Sequence, residues 1–214
     1  MAEKNITLYY VHDPMCSWCW GFAPVLGELL DALPKAVCVQ RLLGGLAPDN
    51  ESPMPEAMKQ LLQQTWRQIE ETIPTAKFNF GFWQQCQPRR STYPACRAVI
   101  AARQQGQQFD EVMTTAIQEA YYRQARNPSD EDTLVSLAEA LKLDVNQFQM
   151  ALNSTQTEQQ LQQEIRQSRE LFIESFPGFS INCAQAHSQI KINYNNVQPM
   201  LEQINRFIEK YGHH

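Results

Sequence analysis

The sequence has few of the features that mark nucleic-acid-binding, membrane-spanning or disulfide-stapled proteins. It carries 18 Lys and Arg against 23 Asp and Glu, a formal net charge of -5, and no basic run that would follow a phosphate backbone. No apolar run approaches the roughly 20 residues that cross a bilayer. Six cysteines in 214 residues are too sparse for a small secreted disulfide scaffold. We therefore expect neither nucleic acid nor a membrane as a partner.

The sequence also lacks the marks of secretion and of a metal centre. Residues 1–5 show no charged n-region, no long apolar segment and no small-residue cleavage site, so a cytoplasmic location is expected. A zinc site would need a second closely spaced Cys/His pair, and the four histidines and the scattered cysteines offer none. We expect neither a metal nor a bound cofactor.

What the sequence does have is one CxxC segment, Cys16-Ser17-Trp18-Cys19, placed between two predicted elements. Residues 6–11 are β-branched and aromatic, which predicts a buried strand, and Asp13-Pro14 ends it. Apolar residues then follow a helical spacing up to residue 30. Residues 36–43 predict a second strand, closed by Gly44-Gly45. Strand, helix and strand in about 40 residues indicate a parallel βαβ unit.

Helical patterns fill the middle of the chain, and strand patterns return near its end. Three helices are predicted over residues 55–73, 95–105 and 109–126. Ser129 and Asp132 have the spacing of a capping box, which predicts that a fourth helix begins there and runs to residue 141. A short helix from Asp144 and a longer one over residues 155–174 follow. Residues 178–182 and 189–194 predict strands, and residues 197–210 a terminal amphipathic helix. A βαβ start and a ββα end thus flank an all-helical middle, which predicts an α/β fold.

The CxxC segment at a helix start suits thiol–disulfide exchange. Unpaired N–H groups and the dipole at a helix N-terminus favour a thiolate. The i,i+3 spacing places a second sulfur next to the first but deeper. Cys16 is therefore predicted to be the exposed nucleophile and Cys19 the resolving thiol, with Trp18 as an exposed apolar cover. Two buried cysteines one turn apart would be the structural alternative.

The residues from Asp13 to Phe22 resemble the active-site segment of the DsbA-like thioredoxin family, in particular its FrnE-like, predicted protein-disulfide isomerase branch. The resemblance continues through residues 44–49, 78–80, 88–98 and 125–130. It implies a thioredoxin-like domain, residues 1–50 and 175–214, with a helical insertion domain, residues 51–174. It also implies exchange with protein or small-thiol disulfide substrates, glutathione among them, and no required cofactor.

Two positions carry further family features. The active sites of the family face a cis-proline loop, for which Phe176-Pro177 is the best candidate, because Pro177 directly precedes a predicted strand and cis is cheap only before proline. With Ser17 and Trp18, these residues form the expected substrate-binding loop set. Thioredoxin-like chains often carry a buried acid where this chain has Tyr10, so proton transfer to the resolving cysteine would need water or another group.

Several alternatives stay open at this point. His12 or Asp13 would be the nearby proton-transfer group, or each would be a strand-end solvent contact or a cap. Ser17 would serve a glutathione transferase of the kappa class, which resembles this fold and uses a serine near this point. A non-enzymatic adaptor or redox sensor on the same fold is the third possibility. Of the other cysteines, Cys38 is expected in the core, Cys183 in a loop, and Cys86 and Cys96 as thiols or as a disulfide.

Overall fold

The computed structural model describes residues 6–184 and 186–212, and the expectation about a secretory signal concerns residues 1–5, outside that range. A four-stranded sheet of order β2-β1-β3-β4 forms its centre. β1 (Ile6–His12) is parallel to β2 (Val37–Leu43), as predicted. β3 (Gly178–Cys183) is antiparallel to β1, and β4 (Ala186–Ile190) is antiparallel to β3.

The predicted βαβ unit is confirmed. α1 (Ser17–Ala32) connects β1 to β2 and buries Phe22, Val25, Leu26 and Leu29 in one apolar cluster with residues of β1 and β3. Full burial of one such side chain stabilises by about 1.5–3 kcal/mol. This cluster holds the N-terminus of α1 at the carboxyl end of β1.

Seven helices separate β2 from β3 within the described residues, in agreement with the predicted helical middle. They are α2 (Glu56–Thr72), α3 (Phe82–Gln85), α4 (Tyr93–Arg103), α5 (Phe109–Tyr122), α6 (Glu131–Ala140), α7 (Val145–Leu152) and α8 (Thr155–Glu170). They enclose a second apolar cluster that contains Trp66, Phe82 and Tyr122. α9 (Gln198–Tyr211) then packs its apolar face on the first cluster, together with α1.

Helix caps follow the sequence in part. The Asp144 side chain accepts from the N–H of Gln147 at the start of α7, as expected. The capping box predicted at Ser129 is wrong, because α6 begins after Asp130 with no side-chain cap bond. The Ser129 hydroxyl donates instead to the carbonyl of Ser91, at 2.7 Å. The Ser129 hydroxyl therefore makes a contact with a distant part of the chain instead of capping α6.

Two cysteine predictions and one strand boundary are corrected. β4 covers residues 186–190 rather than 189–194. Cys38 is exposed rather than in the core, because β2 is an edge strand whose residues alternate between the sheet interior and solvent. Cys183 is buried at the end of β3 rather than placed in a loop.

In the part of the chain that the structure describes, no helix has both the length and the apolar character to cross a bilayer.

Candidate active site

The CxxC segment begins α1. Cys16 is the N-cap residue with extended backbone angles, φ −81° and ψ 115°, and its Sγ accepts from the N–H of Cys19 at 3.4 Å. N–H groups in the first turn of a helix have no partner within the helix, and together with the helix dipole they favour an anion at this end. The predicted placement of the two sulfurs within one turn of the helix is thus present.

Exposure of the two cysteines differs from the expectation. Cys16 is only 6% exposed and Cys19 1%, so the prediction of a freely exposed nucleophile is wrong. Cys16 is covered because a loop from the far end of the chain folds over it. Burial, together with the neighbouring Cys16, raises the pKa of the Cys19 thiol well above its ordinary value. Cys19 therefore holds its proton at neutral pH.

The covering loop is the predicted Phe176-Pro177 segment. The peptide bond between Phe176 and Pro177 is cis, and the Cys16 thiol donates to the Phe176 carbonyl at 3.3 Å. The Phe176 ring rests against Gly44 at the end of β2, so closely that a Cβ there would lie 2.1 Å from its Cζ. Residues 160 positions apart are thus in contact at one thiol.

Asp13 fixes the backbone just before the CxxC segment. It is fully buried and accepts from the N–H of Met15 at 2.8 Å, the N–H of Leu46 at 2.7 Å and the hydroxyl of Thr92 at 2.7 Å. Burial raises its pKa in spite of these bonds. The solvent-contact alternative for Asp13 is wrong, and Asp13 is not a helix cap either, because its bond to the N–H of Met15 forms a local turn before Cys16, the N-cap of α1. Thr92 received no role from the sequence, although it lies in the family-like segment 88–98.

Tyr10 and His12 form a buried aromatic stack below the thiols. They are 2% and 1% exposed, and their rings are 4.9 Å apart and parallel within 3°. Burial, and to a lesser degree the cations Arg41 and Arg103, lower the pKa of His12 well below its ordinary value. His12 is therefore neutral and inside the protein, and the expectation that it contacts solvent is wrong.

A cavity of about 310 Å³ opens beside Cys16. Ser17, Trp18 and Phe176 line it close to the thiol, and its far wall combines apolar and basic groups, namely Met54, Trp66, Arg89, Arg90 and Tyr121. Trp18 is half-buried rather than exposed, because its ring packs on Tyr194 at 4.9 Å. The far-wall residues and Tyr194 were assigned no role from the sequence, since they belong to distant elements. Two larger cavities, of about 440 and 610 Å³, are lined by neither Cys16 nor Cys19.

The remaining cysteines do not pair with one another. All six are thiols, so the Cys86–Cys96 disulfide is absent. Cys86 donates to the carbonyl of Ala125 at 3.0 Å, and burial together with Asp130 raises its pKa. Cys96 is buried and donates to Asp13 at 3.5 Å. The pKa of the Cys86 thiol is therefore raised, although Arg89 and Arg90 follow it closely in the sequence.

A sequence model of the family described as thioredoxin matches residues 9–203. Among curated proteins, the chain is similar to the ClpXP adapter protein SpxH of Bacillus subtilis, with 26% identity over 82% of this chain and 58% of that protein. SpxH of Halalkalibacterium halodurans matches with 25% identity over 83% and 58%. The chain thus spans about 58% of the length of these curated relatives.

Solved structures with the same fold cover nearly the whole chain. A protein of Nitrosomonas europaea, described as a candidate protein disulfide isomerase, has a TM-score of 0.84 and 23% identity, over 98% of this chain and 100% of that chain. The cytosolic disulfide reductase DsbM of Pseudomonas aeruginosa has a TM-score of 0.74 and 20% identity, over 95% and 97%. These likenesses establish a DsbA-like thioredoxin fold with a helical insertion, as the sequence predicted.

Proposed function

The chain belongs to the thioredoxin family, and from that premise we propose that it is a thiol–disulfide oxidoreductase that works through Cys16 and Cys19. The observation that carries the proposal is the geometry at Cys16. Its sulfur accepts from the Cys19 N–H at the N-terminus of α1, contacts the Phe176 carbonyl directly and lines an open cavity together with Phe176. A disulfide substrate in this cavity would reach the one sulfur that the helix end favours as an anion.

The exchange has two steps. The Cys16 thiolate attacks one sulfur of the substrate disulfide, which forms a mixed disulfide and releases the other substrate sulfur as a thiolate. Cys19 then loses its proton and attacks the Cys16 sulfur, which forms the Cys16–Cys19 disulfide and releases the second thiolate. Two electrons pass from the protein to the substrate. The burial and raised pKa of Cys19 suit a thiol that acts only in this second step.

The active-site loop would position the substrate. We propose that Ser17 and Trp18 contact the substrate on one side of Cys16 and that Phe176 contacts it on the other. Pro177, which follows Phe176 in the same loop, does not line this cavity but a neighbouring one. The cavity is wide enough for an extended peptide side chain or a small thiol. Protein disulfides and small-thiol disulfides are therefore the proposed substrates, with glutathione among them, since the DsbM relative has been solved with GSH.

A cytoplasmic location belongs to the same proposal. It rests on the expectation from the sequence and on the likeness to a disulfide reductase described as cytosolic. In that compartment the glutathione pool keeps most thiols reduced, so exchange would run mainly toward substrate reduction.

Trapping with serine variants tests the proposal. Cys19→Ser should accumulate mixed disulfides with protein substrates, because the resolving thiol is missing and the Cys16 thiolate is intact. Cys16→Ser should accumulate none. Both variants are made in a Cys38→Ser background, because Cys38 is exposed and would form adducts of its own. Equal trapping by the two variants on non-reducing gels would contradict the two-step mechanism.

A second candidate function is that of a protein adaptor, which the curated SpxH relatives favour. On this alternative the fold binds a protein partner and the CxxC segment is a redox sensor or has no role. The double variant Cys16→Ser, Cys19→Ser separates the two, since an oxidoreductase loses all exchange activity whereas an adaptor retains partner binding. A glutathione transferase of the kappa type is tested by conjugation assays, in which Ser17→Ala would abolish turnover while the double cysteine variant would not.

A further inference from the structure

Cys19 is buried, yet it must lose its proton before it can attack the Cys16 sulfur in the second step of the exchange. Cys19 is 1% exposed, and its raised pKa means that the second step of the proposed exchange begins from the protonated form. The groups that face Cys19 from the surrounding elements are Cys16, Tyr10, Asp13, Arg41, Glu111, Tyr122 and Tyr194. Only a group with a free lone pair and a route to solvent can take the proton.

Asp13 does not meet that requirement. It is 0% exposed and lines no opening next to Cys19, so it has no route to solvent, and its bonds to Met15, Leu46 and Thr92 hold the chain in place around the CxxC segment. Tyr122 belongs to the helical core and does not line an opening next to Cys19.

A narrow cavity of about 70 Å³ leads from Cys19 to the protein surface. Tyr10 and Cys19, both buried, line the same cavity, and the nearby Cys19 is one of the groups that raise the pKa of the Tyr10 hydroxyl. Arg41 and Glu111 line the other end, 3.7 Å apart, and the Glu111 side chain is 67% exposed. A water molecule takes roughly 30 Å³ in the liquid and needs two to four polar partners, so this polar cavity has room for ordered water.

We propose that the Tyr10 hydroxyl, with water in this cavity, carries the Cys19 proton to Glu111 during the resolving step. The inference rests on the proposed function and adds its proton path. The Tyr10 oxygen accepts the Cys19 proton while its own hydroxyl proton passes to water and from there to the Glu111 carboxylate. The Cys19 thiolate then attacks the Cys16 sulfur, and the substrate leaves as a thiolate. No electrons beyond those of the exchange are involved.

The environment of Tyr10 suits a relay rather than a permanent base. Burial raises the pKa of the Tyr10 hydroxyl well above its ordinary value, so the phenol returns to its neutral form after each transfer. Its ring is held between His12 and Phe179, with centroids 4.9 Å away on each side. The Arg41 guanidinium lies 5.6 Å from the ring centroid and acts against burial, because its positive charge lowers the pKa of the Tyr10 hydroxyl.

The test separates the two steps of the exchange in one reaction. The reduced protein is mixed with a symmetrical aromatic disulfide whose released thiolate is coloured. Attack by Cys16 releases the first coloured thiolate, and attack by Cys19 on the mixed disulfide releases the second. Cys38→Ser and Cys86→Ser are present in every sample, because those two thiols are the accessible ones outside the CxxC segment.

Tyr10→Phe removes the hydroxyl and keeps the stacked ring. We expect the second release to slow at least about tenfold at neutral pH, which is less than the roughly 100-fold or more that a positioned proton-transfer group contributes to a rate. The first release should stay within twofold of the reference rate. The deficit should shrink as the pH rises, because hydroxide then deprotonates Cys19 directly. Glu111→Gln, at a side chain that is 67% exposed, should slow the second release several-fold. The matched control is Tyr9→Phe, whose ring lies on the opposite face of β1 and should alter neither release.

An unchanged second release in Tyr10→Phe or in Glu111→Gln would overturn the inference, as would equal slowing of both releases, which indicates a structural effect. If the reference protein releases no first thiolate from Cys16, the proposed function itself fails. If the reference protein completes both releases and Tyr10→Phe matches it at every pH, the proton path alone fails.

Discussion

Gly44→Ala tests how the active-site loop is held over Cys16. Gly44 follows β2, where its N–H donates to the carbonyl of His12 at 2.7 Å, and its Cα faces the Phe176 ring. An added Cβ would lie 2.1, 2.2 and 2.8 Å from three carbons of that ring. Such distances are far below van der Waals contact, so the ring or the strand end must shift.

The size of the loss in stability depends on whether the Phe176 ring or the end of β2 moves. The clashing atoms are the far end of a side chain, whereas the glycine backbone is fixed by its hydrogen bond to β1, so the ring is the part that moves. Overpacking of this kind costs about 1–3 kcal/mol in free energy of unfolding. For a chain of this size that corresponds to a fall of roughly 2–12 °C in Tm. Displacing Phe176 also moves the carbonyl that now contacts Cys16, so we expect the first exchange step to slow several-fold.

Gly27→Ala provides the matched control. Gly27 lies on the exposed side of α1, and the methyl group of an alanine there would meet no neighbouring heavy atom within 4 Å. The substitution therefore gains helix propensity of about 0.5–1 kcal/mol. Urea unfolding followed by circular dichroism should show opposite signs for the two variants. If Gly44→Ala matched the parent protein in both stability and the first exchange step, the loop would not be held by this contact and our reasoning would be refuted.

Two further predictions follow from burial. Brief alkylation of the reduced protein near neutral pH should label Cys16 and the exposed Cys38 and leave Cys19 unlabelled. Mass spectrometry of the labelled peptides measures this. Faster labelling of Cys19 than of Cys16 would reverse the roles assigned to them. The pKa of His12 in the folded protein is well below its ordinary value of 6.5. Above about pH 6.5 His12 is neutral in both the folded and the unfolded state, and its contribution to stability is complete. As the pH falls toward the folded-state pKa, only the unfolded state binds a proton, so the free energy of unfolding decreases by up to about 1.4 kcal/mol per pH unit. His12→Phe, which keeps the ring stacked on Tyr10, should flatten that slope between about pH 6.5 and 5 in urea titrations, and an unchanged slope would show that His12 is not its source.

Local pattern was enough for the architecture. The alternation and helical spacing of apolar residues predicted the βαβ start, the helical middle and the terminal helix, because burying one face of each element is what forms it. The CxxC spacing identified the two thiols. The family resemblance implied a cis-proline loop opposite them, and the strand pattern after Pro177 selected Phe176-Pro177 as its position. The domain limits at residues 51 and 174 and the catalytic roles of Cys16 and Cys19 stay predictions.

The tertiary structure alone decided exposure and partnership. The sequence could not tell that β2 is an edge strand, so Cys38 was expected in the core. The loop at Phe176-Pro177 was expected to face the CxxC segment, but the sequence could not tell that Cys16 would be only 6% exposed. Asp13 meets Thr92, and Tyr10 shares a cavity with Glu111, across long separations in the chain. A side chain's neighbours depend on how whole elements pack, and no periodicity along the chain encodes which distant element will pack there.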